Sequence, residues 1–133
     1  MKPAGLETEK AAIVVVDDDQ ANRRLMAGIL ELNGYRVRSN SSGEECWEWI
    51  RNHPDEFDLL VTDVRMPGMN GLELANLVRA FQPDTKILFV TGFTDFSPRE
   101  LVTSGDPQDF ILQKPFDNGA LLRKVETLLK TPV

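Results

Sequence analysis

A chain of 133 residues, 41% hydrophobic and 27% charged, has the size and composition of one globular domain with a real core, and neither a disordered nor a membrane-embedded chain looks like this. Fifteen Lys and Arg against 21 Asp and Glu leave a net charge of −6, which repels phosphate backbones and anionic lipid and argues against nucleic-acid binding or membrane contact by this segment. The single cysteine, Cys46, excludes a disulfide framework and a cysteine-based zinc site, so a metal here would be held by oxygen.

Residues 1–10 are polar, with Pro3, Gly5 and alternating charge, and read as a flexible arm ahead of a domain over 11–130 and a tail over 131–133. The first residues lack the apolar core of a signal peptide, and no apolar run can span a bilayer, so a cytoplasmic setting is expected. Residues 11–16 form a continuous apolar, β-branched run ending in acid, which predicts a strand buried on both faces. Over 20–33, Ala21, Leu25, Ile29 and Leu32 recur at helical spacing and predict an inward stripe, with Gly34 as a left-handed residue past the helix end. Tyr35 to Arg38 alternate as a short strand. Ser42-Gly43-Glu44-Glu45 carries helix-start signals, with Cys46, Trp47 and Ile50 on the core face and Trp49 pointing off it. Residues 57–62 predict a strand ending in Asp63. A helix over 72–81, with Leu74, Leu77, Val78 and Phe81 inward, stops before Pro83. Residues 86–90 are a further buried strand, ending in Thr91-Gly92. Pro98, Gly105 and Pro107 leave room for one short helix near 99–104. Residues 110–112 are the last strand and 118–130 a final amphipathic helix.

Five strand–helix units imply an α/β, doubly wound parallel sheet with helices on both faces. In such open sheets chemistry sits beyond the carboxyl ends of the strands. That rule selects Asp17-Asp18-Asp19, Asp63, Thr91 and Lys114. Parallel strands lie about 4.8 Å apart, so carboxylates at two strand ends can converge. Grouped carboxylates resist ionising unless a cation joins them, and oxygen donors without His or Cys point to Mg²⁺. Taken singly, each residue has a plainer reading: Asp17 to Asp19 as a helix cap, Asp63 as an Asx-turn, Lys114 as a solvated lysine. Taken together, an acid pair, one Asp, one hydroxyl and one Lys, each at a strand end, build an acyl-phosphate site. The acid pair holds Mg²⁺, Asp63 attacks phosphorus, and Thr91 and Lys114 bind the arriving oxygens.

The stretches Val14-Val15-Val16-Asp17-Asp18-Asp19, Thr62-Asp63-Val64-Arg65-Met66-Pro67-Gly68-Met69-Asn70-Gly71, Phe89-Val90-Thr91-Gly92 and Lys114-Pro115-Phe116 resemble the receiver domain of bacterial two-component response regulators. The resemblance runs from about residue 13 to 129. It implies a flavodoxin-like (βα)₅ fold and transfer of a phosphoryl group to Asp63 from a histidine kinase or histidine phosphotransfer protein. It further implies that Asp18 ligates Mg²⁺ directly, Asp17 acts partly through water, and Asp63 and the Arg65 carbonyl complete the shell. Thr91 would close onto the phosphoryl group and Lys114 would pair with it. Such a domain catalyses only its own modification.

One departure concerns the family's switch aromatic, three residues before the lysine. Ile111 stands there and Phe110 one position further back, so either the aromatic switch is absent or a bulge re-aims Phe110. The stretch Leu112-Gln113-Lys114-Pro115-Phe116 resembles receivers at the C-terminal end of hybrid sensor kinases. Arg65 and Phe93, each two places past a site residue, are expected to screen attacking water. The outer face of the last two strands is where a weak homodimer would form. Two other functions remain open: a haloacid-dehalogenase-like phosphatase with Asp17 as nucleophile, and a docking module independent of phosphorylation. With the last helix running up to Thr131-Pro132-Val133, the expectation is either a stand-alone receiver acting through protein contacts or a segment of a longer regulator or hybrid kinase.

Overall fold

Ile13 to Val16 carry four consecutive branched side chains, and all four are buried, two toward each face of a central sheet. The computed structural model describes residues 11–92 and 110–130, so the arm over 1–10, the short helix expected near 99–104, Phe93 and the tail lie outside the described residues. In chain order the elements are β1 (Ala12–Val16), α1 (Gln20–Leu32), β2 (Arg36–Asn40), α2 (Gly43–Asn52), β3 (Leu59–Asp63), α3 (Gly71–Phe81), β4 (Lys86–Thr91), β5 (Ile111–Gln113) and α4 (Asn118–Lys130). The five strands pair in parallel in the order β2-β1-β3-β4-β5. The chain therefore steps outward from β1 to β2 and returns across β1 to β3. The reversal places a crevice at the carboxyl ends of β1 and β3.

Alternate strand residues divide the apolar interior in two. Val14, Val16, Leu60, Ile87 and Phe89 meet α2 and α3, while Ile13, Val15, Val61, Leu88 and Val90 meet α1 and α4. No described helix is long and apolar enough to cross a membrane.

The helix starts are chemically specified. The Asp19 carboxylate accepts hydrogen bonds from the N–H groups of Ala21 and Asn22 at 2.9 and 3.2 Å, so one of the three early acids is a cap. Ser42 caps α2, and Asn70 with Glu73 forms a reciprocal capping box on α3. Gly34 takes φ +93° just past α1, as its position predicts.

Four packing expectations are corrected. In α1 the buried stripe is Met26, Ile29 and Leu30, whereas Leu25 is 53% and Leu32 89% exposed. The helix carries two overlapping apolar stripes, and packing against β2 and α4 selects the one that begins a residue later. In α3, Leu74, Ala75 and Val78 face the sheet, while Leu77 and Phe81 are exposed. Small Ala75 fits beside the bulky strand side chains, and the Phe81 ring instead meets Trp47 edge-on at 5.6 Å. Strand β5 begins one residue late, because its ladder runs from the Phe110 carbonyl to the Lys114 amide. That register is regular, with no bulge at Phe110, which stays half-buried between both cores. Trp49 lies off the core stripe but is only half-exposed, stacked on His53 at 4.3 Å with the Arg38 guanidinium 5.0 Å from its ring centre.

Candidate functional site

The register that pairs Val16 with Thr62 brings Asp17, the next residue, beside Asp63 at the end of β3. Asp17 is 0% exposed. Its N–H donates to the Asn40 carbonyl at 3.3 Å, and its own carbonyl accepts from Arg23 Nη1 at 2.7 Å. Its Oδ1 accepts the Asp19 N–H at 2.9 Å. Asp18, the exposed residue of the turn, presents a carboxylate with oxygen atoms of Asp17 and Asp63, all three within 4.8 Å of one another.

Asp63 is held by its neighbours in the chain on both sides. Its Oδ1 accepts the Arg65 N–H at 3.2 Å, and the Thr62 hydroxyl donates to its carbonyl at 2.9 Å. A close approach of α3 fixes the loop beyond: Gly71 donates to the Val64 carbonyl at 2.9 Å, and a Cβ there would strike the Asp63 carbonyl and lie 2.9 Å from Val64 Cα. Gly68 turns the same loop with φ +71°, and Glu44 on α2 accepts the Met69 N–H at 3.0 Å. The loop walls a cleft of about 420 Å³ lined by Val64, Arg65, Met66, Pro67 and Asn70.

Lys114 arrives from the far side of the sheet. Its N–H donates to the Thr91 carbonyl at 2.7 Å, one step past the Thr91–Gln113 pair. From there its side chain reaches back over the end of β4. The ammonium lies 3.0 Å from Asp63 Oδ2 and 3.4 Å from Asp17 Oδ2.

The electrostatics follow from burial and proximity. Burial pushes the Asp17 carboxyl above its usual range, against the opposing pull of the Asp19 N–H and Lys114. Burial alone would lower Lys114, but the hydrogen bond and charge of Asp63, with Asp17, outweigh it and hold the ammonium above the usual lysine range. Three carboxyl groups face one ammonium in one small volume, so when they ionise negative charge is in excess there. An all-oxygen donor set with that excess fits a hard divalent cation such as Mg²⁺.

The structure thus brings Asp17, Asp18, Asp63 and Lys114 together. Thr91 joins them through the backbone: it is buried at the end of β4, and its hydroxyl makes no hydrogen bond to the carboxylates. The Arg65 N–H touches Asp63 while its side chain is exposed. Sequence reasoning missed the surrounding braces Arg23, Asn40, Glu44, Glu45 and Gly71. The Asn70-Gly71 pair, a cap followed by a residue without a side chain, was a readable signal for the last; long-range contacts such as Glu44 to Met69 leave none.

Comparison with known proteins agrees with this geometry. The model of the response regulator receiver domain family matches residues 13–126. The response regulator receiver protein CpdR of Brucella abortus is 36% identical over 118 residues, covering 88% of this chain and 95% of CpdR. The CAI-1 autoinducer sensor kinase/phosphatase CqsS of Vibrio cholerae is 37% identical over 116 residues, covering 85% of this chain and 16% of CqsS. The crystal structure of the receiver domain of the hybrid histidine kinase CckA superposes with a TM-score of 0.74 at 28% identity, covering 90% of this chain and 99% of that one.

Proposed function

The chain belongs to the response regulator receiver domain family, a phosphoacceptor module of two-component signalling, and on that premise we propose that Asp63 accepts the phosphoryl group from the phosphohistidine of a histidine kinase or phosphotransfer protein. An Asp63 carboxylate oxygen attacks phosphorus as the bond from phosphorus to the donor's imidazole nitrogen breaks. The imidazole, protonated at its other nitrogen, leaves neutral, and an acyl phosphate remains. Asp17, Asp18, Asp63 and the Arg65 carbonyl would hold Mg²⁺, which supplies positive charge to the phosphoryl oxygens.

The chain's own residues position the rest. The Lys114 ammonium, fixed between Asp63 and Asp17, pairs with an arriving phosphoryl oxygen, and the Thr91 hydroxyl donates to another. The new group adds roughly −2 charge, which draws Lys114 and Thr91 toward it and shifts the face formed by β4 and β5. The domain modifies only itself, with the phospho-donor as substrate. A phosphatase with Asp17 as nucleophile is disfavoured by burial: Asp17 is fully covered, whereas Asp63 retains 8% exposure. The late strand that such an enzyme would need to carry acids has none over Phe110 to Gln113.

The observation that carries the reading is one ammonium shared by Asp63 at 3.0 Å and Asp17 at 3.4 Å beside the third carboxylate. Intact-mass spectrometry after treatment with a small acyl phosphate and Mg²⁺ tests it. One added phosphoryl group is expected on the wild type, and none on Asp63→Asn or after chelation of the metal. Equal labelling of Asp63→Asn would overturn the reading. An unlabelled wild type would leave a docking role independent of phosphorylation.

A further inference from the structure

We propose that Arg23 is a positioning residue for the divalent-cation site, holding the peptide between Asp17 and Asp18 so that the Asp18 carboxylate faces the cation. The inference rests on the reading of that site given above. Arg23 is the fourth residue of α1, and its backbone N–H donates to the Asp19 carbonyl at 2.9 Å in the ordinary helical manner. Its side chain runs the other way, back past the helix start, to place Nη1 2.7 Å from the Asp17 carbonyl. A cation near a helix N-terminus opposes the helix dipole, and the acid that favours that end, the N-cap Asp19, accepts from the helix N–H groups of Ala21 and Asn22 and not from Arg23. Helix stability therefore does not account for an arginine here; the contact with Asp17 does.

The need for such a brace lies with Asp18. It is exposed, and among the described residues it makes no hydrogen bond, so its direction is set by its backbone. Asp19 fixes the far side of the turn, through its N–H on Asp17 Oδ1 and its own carboxylate on the helix N–H groups. The remaining freedom is rotation of the Asp17–Asp18 peptide plane, and the oxygen of that plane is the atom Arg23 holds. The guanidinium lies within electrostatic reach of Glu45, whose carboxylate accepts from Asn40 Nδ2 and the Ser41 N–H, both at 3.1 Å. Asn40 in turn accepts the Asp17 N–H, so the brace closes around both sides of that residue.

The sign of the effect separates positioning from charge. Removing a positive charge beside a divalent-cation site strengthens cation binding by Coulomb's law, whereas releasing the Asp17–Asp18 peptide weakens it. Calorimetric titration of Mg²⁺ into the full chain decides between them, with melting temperature without metal confirming that each variant is folded. Arg23→Ala is expected to bind Mg²⁺ about 10-fold more weakly, the lower end of the loss when a residue supporting metal ligands is removed. Arg23→Lys, which keeps both charge and a donor, is expected to recover part of that loss. Arg24→Ala removes the same charge one residue along, from an exposed side chain without a hydrogen bond among the described residues, and is expected to bind as tightly as wild type or more so. Equal or tighter binding by folded Arg23→Ala would overturn the inference alone. Should Arg23→Ala not fold, wild-type affinity in Arg23→Lys would overturn it and weaker binding there would support it. A wild type that binds no Mg²⁺ would overturn the site reading and this inference together.

Discussion

Asp17 is the residue at which structure and charge conflict most. It is fully buried, and burial raises its carboxyl above the usual carboxylate range despite Lys114 nearby. A carboxyl raised in the folded state contributes stability that is fully present below about pH 4 and is lost as the pH climbs through the raised value. At neutral pH without a divalent cation, ionised Asp17 therefore costs stability. Asp17→Asn is expected to raise the metal-free melting temperature at pH 7 by a few degrees, at roughly 4 °C per kcal/mol for a chain of this size, while abolishing stabilisation by added Mg²⁺. Thermal melts of both proteins with and without Mg²⁺ check it, and a metal-free variant less stable than wild type would contradict it. Burial acts in the same direction on Cys46: it pushes the thiol up to about 12, so the thiol stays protonated near neutral pH and packs as a small apolar side chain. Both were legible as residue types at telling positions. Arg23 was not, because a side chain reaching six residues back to a backbone carbonyl leaves no periodicity and no motif.

Among the elements, strands were more readable than helix faces. A continuous branched run such as Ile13 to Val16 buries both faces, so no choice of side arises. An amphipathic helix has a direction, and α1 contains two apolar stripes a residue apart. The structure buries Met26, Ile29 and Leu30 and leaves Leu25 and Leu32 outside. Met26→Ala is accordingly expected to cost about 3 kcal/mol, as core truncations do, and Leu32→Ala no more than about 0.5 kcal/mol. Urea midpoints of the two variants decide which stripe is core; the reverse order of costs would contradict the packing described. The one-residue offset of β5 has a similar origin, since parallel pairing with β4 sets its ends, and the partner's register is invisible in Phe110-Ile111-Leu112 alone. The caps at Asp19 and Ser42 were legible because they are local, each bonding within three residues; Asn70 caps α3 in the same way.

At the scale of the whole molecule, the order β2-β1-β3-β4-β5 converts four separated stretches of sequence into one site. The acids come from the strand ends where the winding reverses, and Lys114 returns across β4 from a residue 51 positions after Asp63. The convergence was predictable from the alternation of strands and helices, because α/β sheets gather chemistry at one edge. The distances were not, since they depend on the twist and register of the finished sheet. The chain covers nearly all of CpdR and a small part of CqsS, so the same unit is found at both scales of protein. The most direct test is to trap the acyl phosphate with borohydride after phosphoryl transfer and to map the modified residue by tandem mass spectrometry. Reduction of the acyl phosphate should leave homoserine at position 63 and unmodified aspartate at 17, 18 and 19. Homoserine at position 17, or at none of these positions in a protein that has gained a phosphoryl group, would contradict the account.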